Sequence, residues 1–395
     1  INIPVRDEVF VAKTESIPSQ IDLKDTVLLK DLYRVVVMLP FELKSAMNET
    51  ANKEARLREI AVNFYQGSLA ALDSLEAYGA RLDVSYIDVS TEADARAAIQ
   101  TDAVKQANLI IGPLPRKPLE IVSEYASKKG THIVCPVPQS NKILLASPNL
   151  SKVIPSRDTE MKAIAQHVAQ KHKNDNIILI NSMDVSDARM IQLFQKHFAK
   201  AAGLENDTIQ KGYKELKASS KFVGELSAKL SSSKLNVLVV PAGDGSKSMI
   251  ANLQTKLQLL SKEYQIRIFA VEEWLEYDFL DVSFKERVNL TVPRSGYVAY
   301  TSDDMLTFTK NFRDEFKSDV NDYVVLGFDV MLYYGRGLTS YGIGFPNEFG
   351  RMSNSGLLGH RFNYLKTGLD SGFENDFVYL LSQKDYYLVP VNGIR

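Results

Sequence analysis

The sequence predicts an α/β fold in which parallel sheets are flanked by helices. Short runs rich in Val, Ile and Leu recur along the chain, and a polar loop and a stretch with helical spacing follow them. Near-continuous apolar runs are typical of strands that are buried on both faces, as parallel sheets require. Ligands of such sheets bind beyond the carboxyl ends of the strands, so we expect function in the following loops. The runs span residues 35–39, 82–88, 109–113, 132–136, 177–181, 235–240 and 266–271.

The elements of the first half follow in regular order. Residues 1–33 are mixed in character, which predicts an arm or linker. After the first strand we expect a polar loop over 45–50 and then a long helix, with Gly79 at its C-cap. Helices over 92–100 and 119–128 separate the next strands. The long helix is predicted from apolar residues that share one face at helical spacing: Leu57, Ile60, Ala61, Phe64, Ala71, Leu72 and Leu75.

The stretch 136–150 is rich in Pro, Ser and Asn, and it is expected to cross between two domains because the α/β pattern restarts after it. The restart includes a helix near 158–171 and a weak strand near 208–213. The last part has a different pattern. It is predicted to contain a strand-like run at 296–300, helices over 305–316 and 323–339, a loop over 340–359 and antiparallel strands at 361–365, 377–382 and 386–389.

Composition limits the classes of function. The 395 residues are 45% hydrophobic and 24% charged, as in an ordinary globular protein, and this length predicts two or three domains. The net charge of −1 gives no basic excess to bind a phosphate backbone, so no nucleic acid partner is expected. The single cysteine, Cys135, excludes an internal disulfide framework and a cysteine-based zinc cluster. No apolar run is long enough to predict a membrane span in this segment.

The motifs give no positive sign of catalysis. The turn from Gly243 to Gly245 follows a strand, but it lacks the third glycine and the Lys-Ser/Thr of a phosphate-binding loop, so a tight turn is favoured. His167 and His172 are five residues apart on a predicted helix, so they are not expected to share a metal from one face, and a surface or packing role is favoured for each. His132 and Cys135 point to opposite faces of a strand, which favours a buried, inert thiol. We therefore expect no enzyme, no cofactor, no metal site and no catalytic residues.

The loops after the strands do contain side chains that suit a ligand. Arg116 is a candidate to bind a carboxylate or phosphate in bidentate fashion, and Trp274 is a candidate to stack on a flat or sugar-like ligand. Ordinary roles stay open for each, such as a solvated arginine, a capping aspartate or a packing tryptophan. If Arg116 contacts a ligand with an acid group, Arg116→Ala should weaken its binding. The candidate ligand-binding residues are Phe41, Arg116, Gln139, Ser140, Asn141, Asp184, Asp244 and Trp274.

Several stretches together resemble the type 1 periplasmic binding-protein family, as in receptors for branched-chain amino acids. They are Val35-Val-Val-Met-Leu-Pro, Phe64-Tyr-Gln-Gly-Ser-Leu, Leu109-Ile-Ile-Gly-Pro, Thr131-His-Ile-Val-Cys-Pro and Gly296-Tyr-Val-Ala-Tyr. The resemblance covers nearly the whole chain from Tyr33. It implies two Rossmann-like lobes with parallel sheets, joined by hinge crossings, that close on a small polar molecule in the cleft between them.

The resemblance also implies where the lobes divide and where the protein is found. We expect an N-terminal lobe over 34–145 plus 298–345 and a C-terminal lobe over 146–297 plus 346–395. The expected location is extracytoplasmic, in the periplasm or cell envelope. The opening strand and first helix further resemble envelope proteins of Bacteroidetes type, in which a peptidoglycan-binding lysin-motif region often precedes this fold.

One departure from the family pattern leaves two functions open. Amino-acid receptors typically carry hydroxyl side chains directly after the Ile-Gly-Pro turn, but residues 114–117 contain none, and only Ser140 offers one in the next loop. The first hypothesis is a receptor-like protein that binds a small polar ligand. The alternative is a ligand-free envelope protein that binds peptidoglycan or an envelope protein, as a scaffold or as an activator of a synthase.

Overall fold

The computed structural model of the chain describes residues 29–42, 52–204, 212–219 and 222–392. The chain divides into two compact units, Ile1–Pro155 with Gly296–Phe377 and Ser156–Ser295 with Val378–Arg395. The loop expected at 45–50 lies outside the described residues, as do most of the arm expected at 1–33 and most of the weak strand expected at 208–213.

The strands and helices alternate over most of the described chain. The strands are β1 (Tyr33–Leu39), β2 (Leu82–Asp88), β3 (Leu109–Ile111), β4 (His132–Cys135), β5 (Leu150–Lys152), β6 (Asn176–Asn181), β7 (Lys214–Lys217), β8 (Asn236–Val240), β9 (Ile266–Ala270), β10 (Thr291–Arg294), β11 (Tyr364–Lys366), β12 (Phe373–Asn375), β13 (Tyr379–Lys384) and β14 (Tyr387–Pro390). The helices are α1 (Asn52–Ala77), α2 (Glu92–Ala98), α3 (Asp102–Lys105), α4 (Arg116–Lys129), α5 (Arg157–Lys171), α6 (Ala188–Ala202), α7 (Phe222–Lys229), α8 (Lys247–Leu260), α9 (Val282–Arg287), α10 (Asp303–Phe316) and α11 (Asp322–Tyr341).

The sheet of the first unit has the strand order β11-β12-β5-β4-β3-β1-β2. Strands β1 to β5 are parallel to their neighbours, β12 pairs in parallel with β5, and β11 pairs antiparallel with β12. Val35, Val37 and Leu39 of β1 face a core shared with α1, α10 and α11. Val36 and Met38 face a second core that includes residues of α2 and α4. Both faces of the strand are therefore buried, which explains its unbroken apolar run.

The sheet of the second unit has the order β14-β13-β10-β9-β8-β6-β7. Its strands β6 to β10 are parallel to their neighbours, and β13 is antiparallel to both β10 and β14. The apolar side chains of β6, β8 and β9 form one core with the helices packed on the sheet. Each sheet is thus mainly parallel with a short antiparallel addition, as the α/β prediction requires.

Several predicted elements differ from the structure. Residues 136–150 do not cross between units, because the chain turns after β4 and returns as β5 beside it in the same sheet. Residues 346–377, expected in the C-terminal lobe, belong to the first unit, where β12 pairs with β5. Residues 296–300 are not a strand: Gly296 forms a single bridge with His360, and the strand of this region, β10, ends at Arg294. Strands β5, β10 and β12 were missed, since each has only three or four residues.

Candidate functional site

The loops at the carboxyl ends of the first sheet contact one another. The side-chain amide of Gln139, after β4, donates a hydrogen bond of 3.4 Å to the main-chain oxygen of Leu114, after β3. The main-chain N–H of Glu42, after β1, donates to Asp88 at the end of β2 at 3.1 Å. The loops after β3 and β4 are therefore linked to each other, and so are the ends of β1 and β2, at the edge of the sheet where open α/β sheets bind ligands.

Arg116 is the first residue of α4, and its side chain is half exposed. Its Nε lies 2.9 Å from Oε1 of Glu120, one turn further along the helix. Pro115 occupies the N-cap position and has no side-chain acceptor for the free N–H groups of the first turn. The next residue, Lys117, is also cationic, and the first turn contains no acidic residue. The N-terminus of α4 therefore combines the positive end of the helix dipole, which favours an anion, with two cations that each have a carboxylate partner, Glu120 for Arg116 and Glu92 for Lys117 at 3.4 Å.

Ser140 is exposed, while its two neighbours are tied to the rest of the first unit. Its Oγ accepts a weak hydrogen bond of 3.4 Å from the N–H of Lys142 and caps a short 3₁₀ turn. Asn141 donates from its side chain to Glu374 at 2.6 Å, so its amide group is engaged within the protein. The loop thus presents the Ser140 hydroxyl to solvent from a fixed backbone.

Phe41 follows β1 and is half-buried in an aromatic cluster. Its ring meets the ring of Tyr65 edge-on at 5.7 Å, and Tyr65 meets Tyr86 in the same way at 4.6 Å. Burial raises the pKa of Tyr86 to about 12, and its hydroxyl lies 3.0 Å from that of Ser68. The two tyrosines were missed by sequence reasoning, because they lie inside α1 and β2 rather than in a loop after a strand.

In the second unit, Asp184 and Asp244 lie in the loops after β6 and β8. Asp184 accepts hydrogen bonds from the hydroxyl and the N–H of Ser186 at 2.6 and 2.8 Å, and these hold its pKa below the ordinary value. Asp244 accepts from Lys247 and from the hydroxyl of Tyr277, each at 3.0 Å, and these two bonds lower its pKa. Both carboxylates are therefore ionised and already hydrogen-bonded to neighbours in their own unit.

The two loops are joined by Asp187, a residue that sequence reasoning did not single out. Its buried carboxylate accepts hydrogen bonds from the hydroxyls of Ser182 and Ser246 at 2.7 and 2.5 Å and from the N–H of Gly243 at 3.1 Å. A buried carboxylate with three donors is a strong link between segments. Asp187 thereby fixes the loop of Asp184 against the loop of Asp244.

Trp274 packs in the core of the second unit. Trp274 is only 1% exposed, and its indole N–H donates to the main-chain oxygen of Ala242 at 2.9 Å. Of the two roles that the sequence left open, packing is the one this geometry supports, because the ring has no free face for a ligand. Beside it, Glu273 accepts a hydrogen bond from Arg157 and Glu272 pairs with Arg294 at 3.0 Å. The two arginines were missed because neither follows a predicted strand.

The residues considered for catalysis are buried and inert. His132 lies 2.9 Å from the hydroxyl of Ser151, and burial lowers its pKa to about 3. Burial raises the pKa of the Cys135 thiol to about 12, and its Sγ contacts the main-chain oxygen of Val137. The described residues contain no group of three or more His, Cys, Asp and Glu side chains that could hold a metal ion.

His167 and His172 pack side by side, closer than their spacing on a helix suggests. Their ring centroids are 5.9 Å apart, because His172 follows the last residue of α5 and has left helical geometry. Phe269 contacts both rings, at 5.6 Å in each case, so the histidines pack against the core of the second unit. Burial lowers the pKa of His167 to about 4.

Comparison with known proteins gives matches at the level of structure. No protein-family model and no curated protein sequence matches the chain. An ABC transporter substrate-binding protein from Desulfitobacterium hafniense in complex with Leu is similar over 91% of this chain and 100% of its own, with 14% identity and a TM-score of 0.54. A branched-chain amino acid ABC transporter periplasmic ligand-binding protein from Burkholderia xenovorans covers 91% and 94%, with 10% identity and a TM-score of 0.55.

The chain has the fold of type 1 periplasmic binding proteins. A third structure with this likeness is the C-domain of LpoA from Haemophilus influenzae, described as a regulator of PBP1A. The similarity covers 90% of this chain and 99% of that one, with 14% identity and a TM-score of 0.53. At these identities the likeness establishes the fold, which is the fold that the sequence predicted. In the described residues, no helix is long and apolar enough to cross a membrane.

Proposed function

We propose that the chain is an extracytoplasmic binding protein, not an enzyme, that takes a small polar ligand carrying an acid group. The loops at the carboxyl ends of its strands supply the contacts. Closing of two lobes over the ligand, which the sequence resemblance implies, stays a prediction. The fold supports the proposal, since solved proteins with this fold include ligand-binding components of transporters.

The observation that carries the proposal is the charge at the start of α4. A cation in the first turn of a helix is opposed by the helix dipole by about 0.3–1 kcal/mol. The chain nevertheless places Arg116 and Lys117 there, and their carboxylate partners lie outside that turn, Glu120 at 2.9 Å and Glu92 at 3.4 Å. An anion bound at this point would face the main-chain N–H groups of Arg116 and Lys117, since Pro118 has none, and would offset the unfavourable electrostatics. The acid group of the ligand is therefore assigned to the N-terminus of α4.

Neighbouring side chains on the same edge suit the rest of a polar ligand. Ser140 offers an exposed hydroxyl and Phe41 a half-buried ring, while the side-chain amide of Gln139 donates a weak hydrogen bond to Leu114. The position directly after the Ile-Gly-Pro turn is Leu114, a buried apolar residue. A ligand that needs a hydroxyl donor at that position, as the amino-acid receptors supply, fits poorly. We infer that the ligand differs from a free α-amino acid.

A thermal-shift screen tests the proposal. The panel contains amino acids, dipeptides, monosaccharides and muropeptides, each with and without an acid group. A true ligand stabilises the folded chain by RT ln(1 + [L]/Kd), which is about 2.7 kcal/mol at a concentration of 100 Kd. We expect a shift within one acid-bearing class and none with the uncharged analogues. Equal shifts with acid-bearing compounds and their uncharged analogues would contradict the assignment of the acid group to the N-terminus of α4.

The likeness to the LpoA C-domain favours a second candidate function, a ligand-free envelope protein that binds peptidoglycan or an envelope protein. Absence of a shift with every compound, together with sedimentation of the chain with isolated peptidoglycan, would favour this candidate. The Bacteroidetes-type setting and a preceding lysin-motif region, expected from the sequence, stay predictions as well.

A further inference from the structure

Lys152 is a fully buried lysine at the carboxyl end of β5. Its side chain is 0% exposed, and a lysine is almost never buried to this extent unless it is paired. Its Nζ lies 3.4 Å from Oε1 of Glu374, whose side chain is 9% exposed. The two residues are also register partners, because β12 runs parallel to β5 and places Glu374 directly beside Lys152. Lys152 and Glu374 therefore form an ion pair between adjacent strands that is withdrawn from solvent.

Both members of this pair reach the loop that contains Ser140. The Lys152 ammonium donates a hydrogen bond of 3.3 Å to the main-chain oxygen of Gln139. The second carboxylate oxygen of Glu374 accepts a hydrogen bond of 2.6 Å from the side chain of Asn141. The residues immediately before and after Ser140 are thus each held by one member of the pair.

We propose that Lys152 and Glu374 are positioning residues of the ligand site, which hold residues 139–141, and with them the Ser140 hydroxyl, against the segment that leads into α4. This inference rests on the proposed function. The hydrogen bond from Gln139 to Leu114 provides the link, since it joins the Ser140 loop to the segment that leads into α4. Neither charged residue is exposed enough to contact a ligand itself, so both act through their neighbours.

Stability alone does not explain why a buried ion pair stands here. Replacing a buried ion pair by apolar residues of similar volume is often neutral or stabilising, because desolvation offsets the Coulomb attraction. An ion pair differs from an apolar contact because its hydrogen bonds are directional: each charged group donates or accepts along a defined line. The strand β12 meets β5 through only two register pairs, so this directional contact also fixes its alignment.

Hydrogen exchange of the whole chain, without any ligand, tests the positioning role. The double variant Lys152→Met/Glu374→Met removes both charges together, so that neither is left buried without the other. The amides of Ile143 and Leu145 report on the loop, because they donate within the turn that Ser140 caps. We expect their exchange to accelerate roughly tenfold or more, while amides of β3 keep their wild-type rates.

Ser151→Ala is the matched control. Ser151 precedes Lys152 on the same strand and is equally buried, but its hydroxyl bonds to His132 and Tyr334 rather than to the loop. Its removal should leave exchange at Ile143 and Leu145 unchanged. If the double variant folds and its loop exchanges at the wild-type rate, the positioning role is overturned. If the double variant fails to fold, Asn141→Ala removes the hydrogen bond to Glu374, and wild-type exchange in that variant overturns the role equally.

Binding measurements separate this inference from the proposed function. The probes are N-acetylmuramic acid, benzoate and the dipeptide Ala-Glu, which all carry an acid group and none of which is a free α-amino acid. We expect a probe that binds the wild-type chain to bind the double variant about tenfold more weakly, and unchanged affinity would contradict the positioning role. If no probe binds the wild-type chain but the loop exchange accelerates, the ligand proposal fails while the anchoring of the Ser140 loop by this pair is upheld.

Discussion

The carboxylate of Asp329 and the imidazole of His360 form a buried pair in the first unit, with 2.9 Å between Oδ2 and Nδ1. Asp329 lies in the middle of α11, where a charged side chain has no access to solvent. It also accepts hydrogen bonds from the main-chain N–H groups of three consecutive residues, 358–360. One carboxylate therefore anchors a whole irregular segment to a core helix.

Asp329→Asn should lower the free energy of unfolding by about 2–4 kcal/mol. The carboxamide would direct N–H groups at main-chain N–H groups, which leaves buried donors without acceptors. Urea unfolding followed by circular dichroism gives the measurement. The same exchange at the exposed Asp314 serves as the control and should change stability by less than about 0.5 kcal/mol. Equal effects at the two sites would show that the buried carboxylate anchors nothing.

Helices α1 and α11 cross with their backbones in contact, at two glycines. A Cβ on Gly67 would lie 1.9 Å from the main-chain oxygen of Val324, and one on Gly327 would lie 2.1 Å from that of Phe64. The neighbouring atoms are backbone and cannot move aside without separating the helices. We expect Gly67→Ala and Gly327→Ala each to destabilise the chain by about 2–3 kcal/mol or more.

Gly224 provides the matched control for this crossing. It also lies in a helix, α7, but a Cβ there meets no atom within 4 Å. Since alanine is the better helix former, Gly224→Ala should stabilise the chain by about 0.5–1 kcal/mol. Chemical denaturation of the three variants in parallel checks the prediction. Stabilisation by alanine at Gly67 would show that the helices are further apart than described.

His132 predicts a loss of stability in acid. Burial lowers its pKa from 6.5 to about 3, so the unfolded chain binds this proton more tightly than the folded chain. The neutral ring therefore contributes fully to the free energy of unfolding above pH 6.5. This contribution is lost as the pH falls towards 3, by about 1.4 kcal/mol per pH unit. Between pH 7 and pH 5, the free energy of unfolding measured with urea should fall less for His132→Gln than for the wild type. His197→Gln, at a half-exposed histidine, serves as the control, and its free energy of unfolding should fall nearly as much as that of the wild type. The same fall in the wild type and in both variants would place the His132 ring in solvent.

Cys135 is fully buried, and burial raises its pKa to about 12, so the native chain should resist thiol reagents. At pH 8, iodoacetamide should modify the unfolded chain at least about a hundredfold faster than the folded chain. Mass spectrometry of the intact chain measures this directly, because the sequence contains one cysteine. Rapid modification of the native chain would mean that the thiol is accessible.

The sequence predicted the parallel core of both units because those strands are buried on both faces. Val35 to Leu39 alternate between two cores, and this leaves no polar position to interrupt the apolar run. The short strands β5 and β12 could not be found in this way. They contain Lys152 and Glu374, whose burial depends on each other across more than two hundred residues of sequence. A charged residue in a three-residue strand looks like a loop until its partner is known.

The candidate site was predictable to the same extent. Residues after the strands could be named, since the topology determines which edge they share. Which of these side chains are already hydrogen-bonded within the protein could not be predicted, because the partners are distant in sequence. Asn141 bonds to Glu374, and Trp274 bonds to the main-chain oxygen of Ala242. Asp187 was missed for the same reason, since its three donors come from two loops about sixty residues apart.

Calorimetric titration of Arg116→Ala and Lys128→Ala tests the acid-binding site most directly. Both cations lie on α4 and each pairs with a glutamate one turn away, Arg116 at 2.9 Å and Lys128 at 2.7 Å. Only Arg116 lies at the carboxyl edge of the sheet. With the acid-bearing compound that gives the largest thermal shift, we predict about tenfold weaker binding for Arg116→Ala, or ~1.4 kcal/mol, and wild-type affinity for Lys128→Ala. Wild-type affinity in both variants, or equal losses, would contradict an acid-binding site at the start of α4.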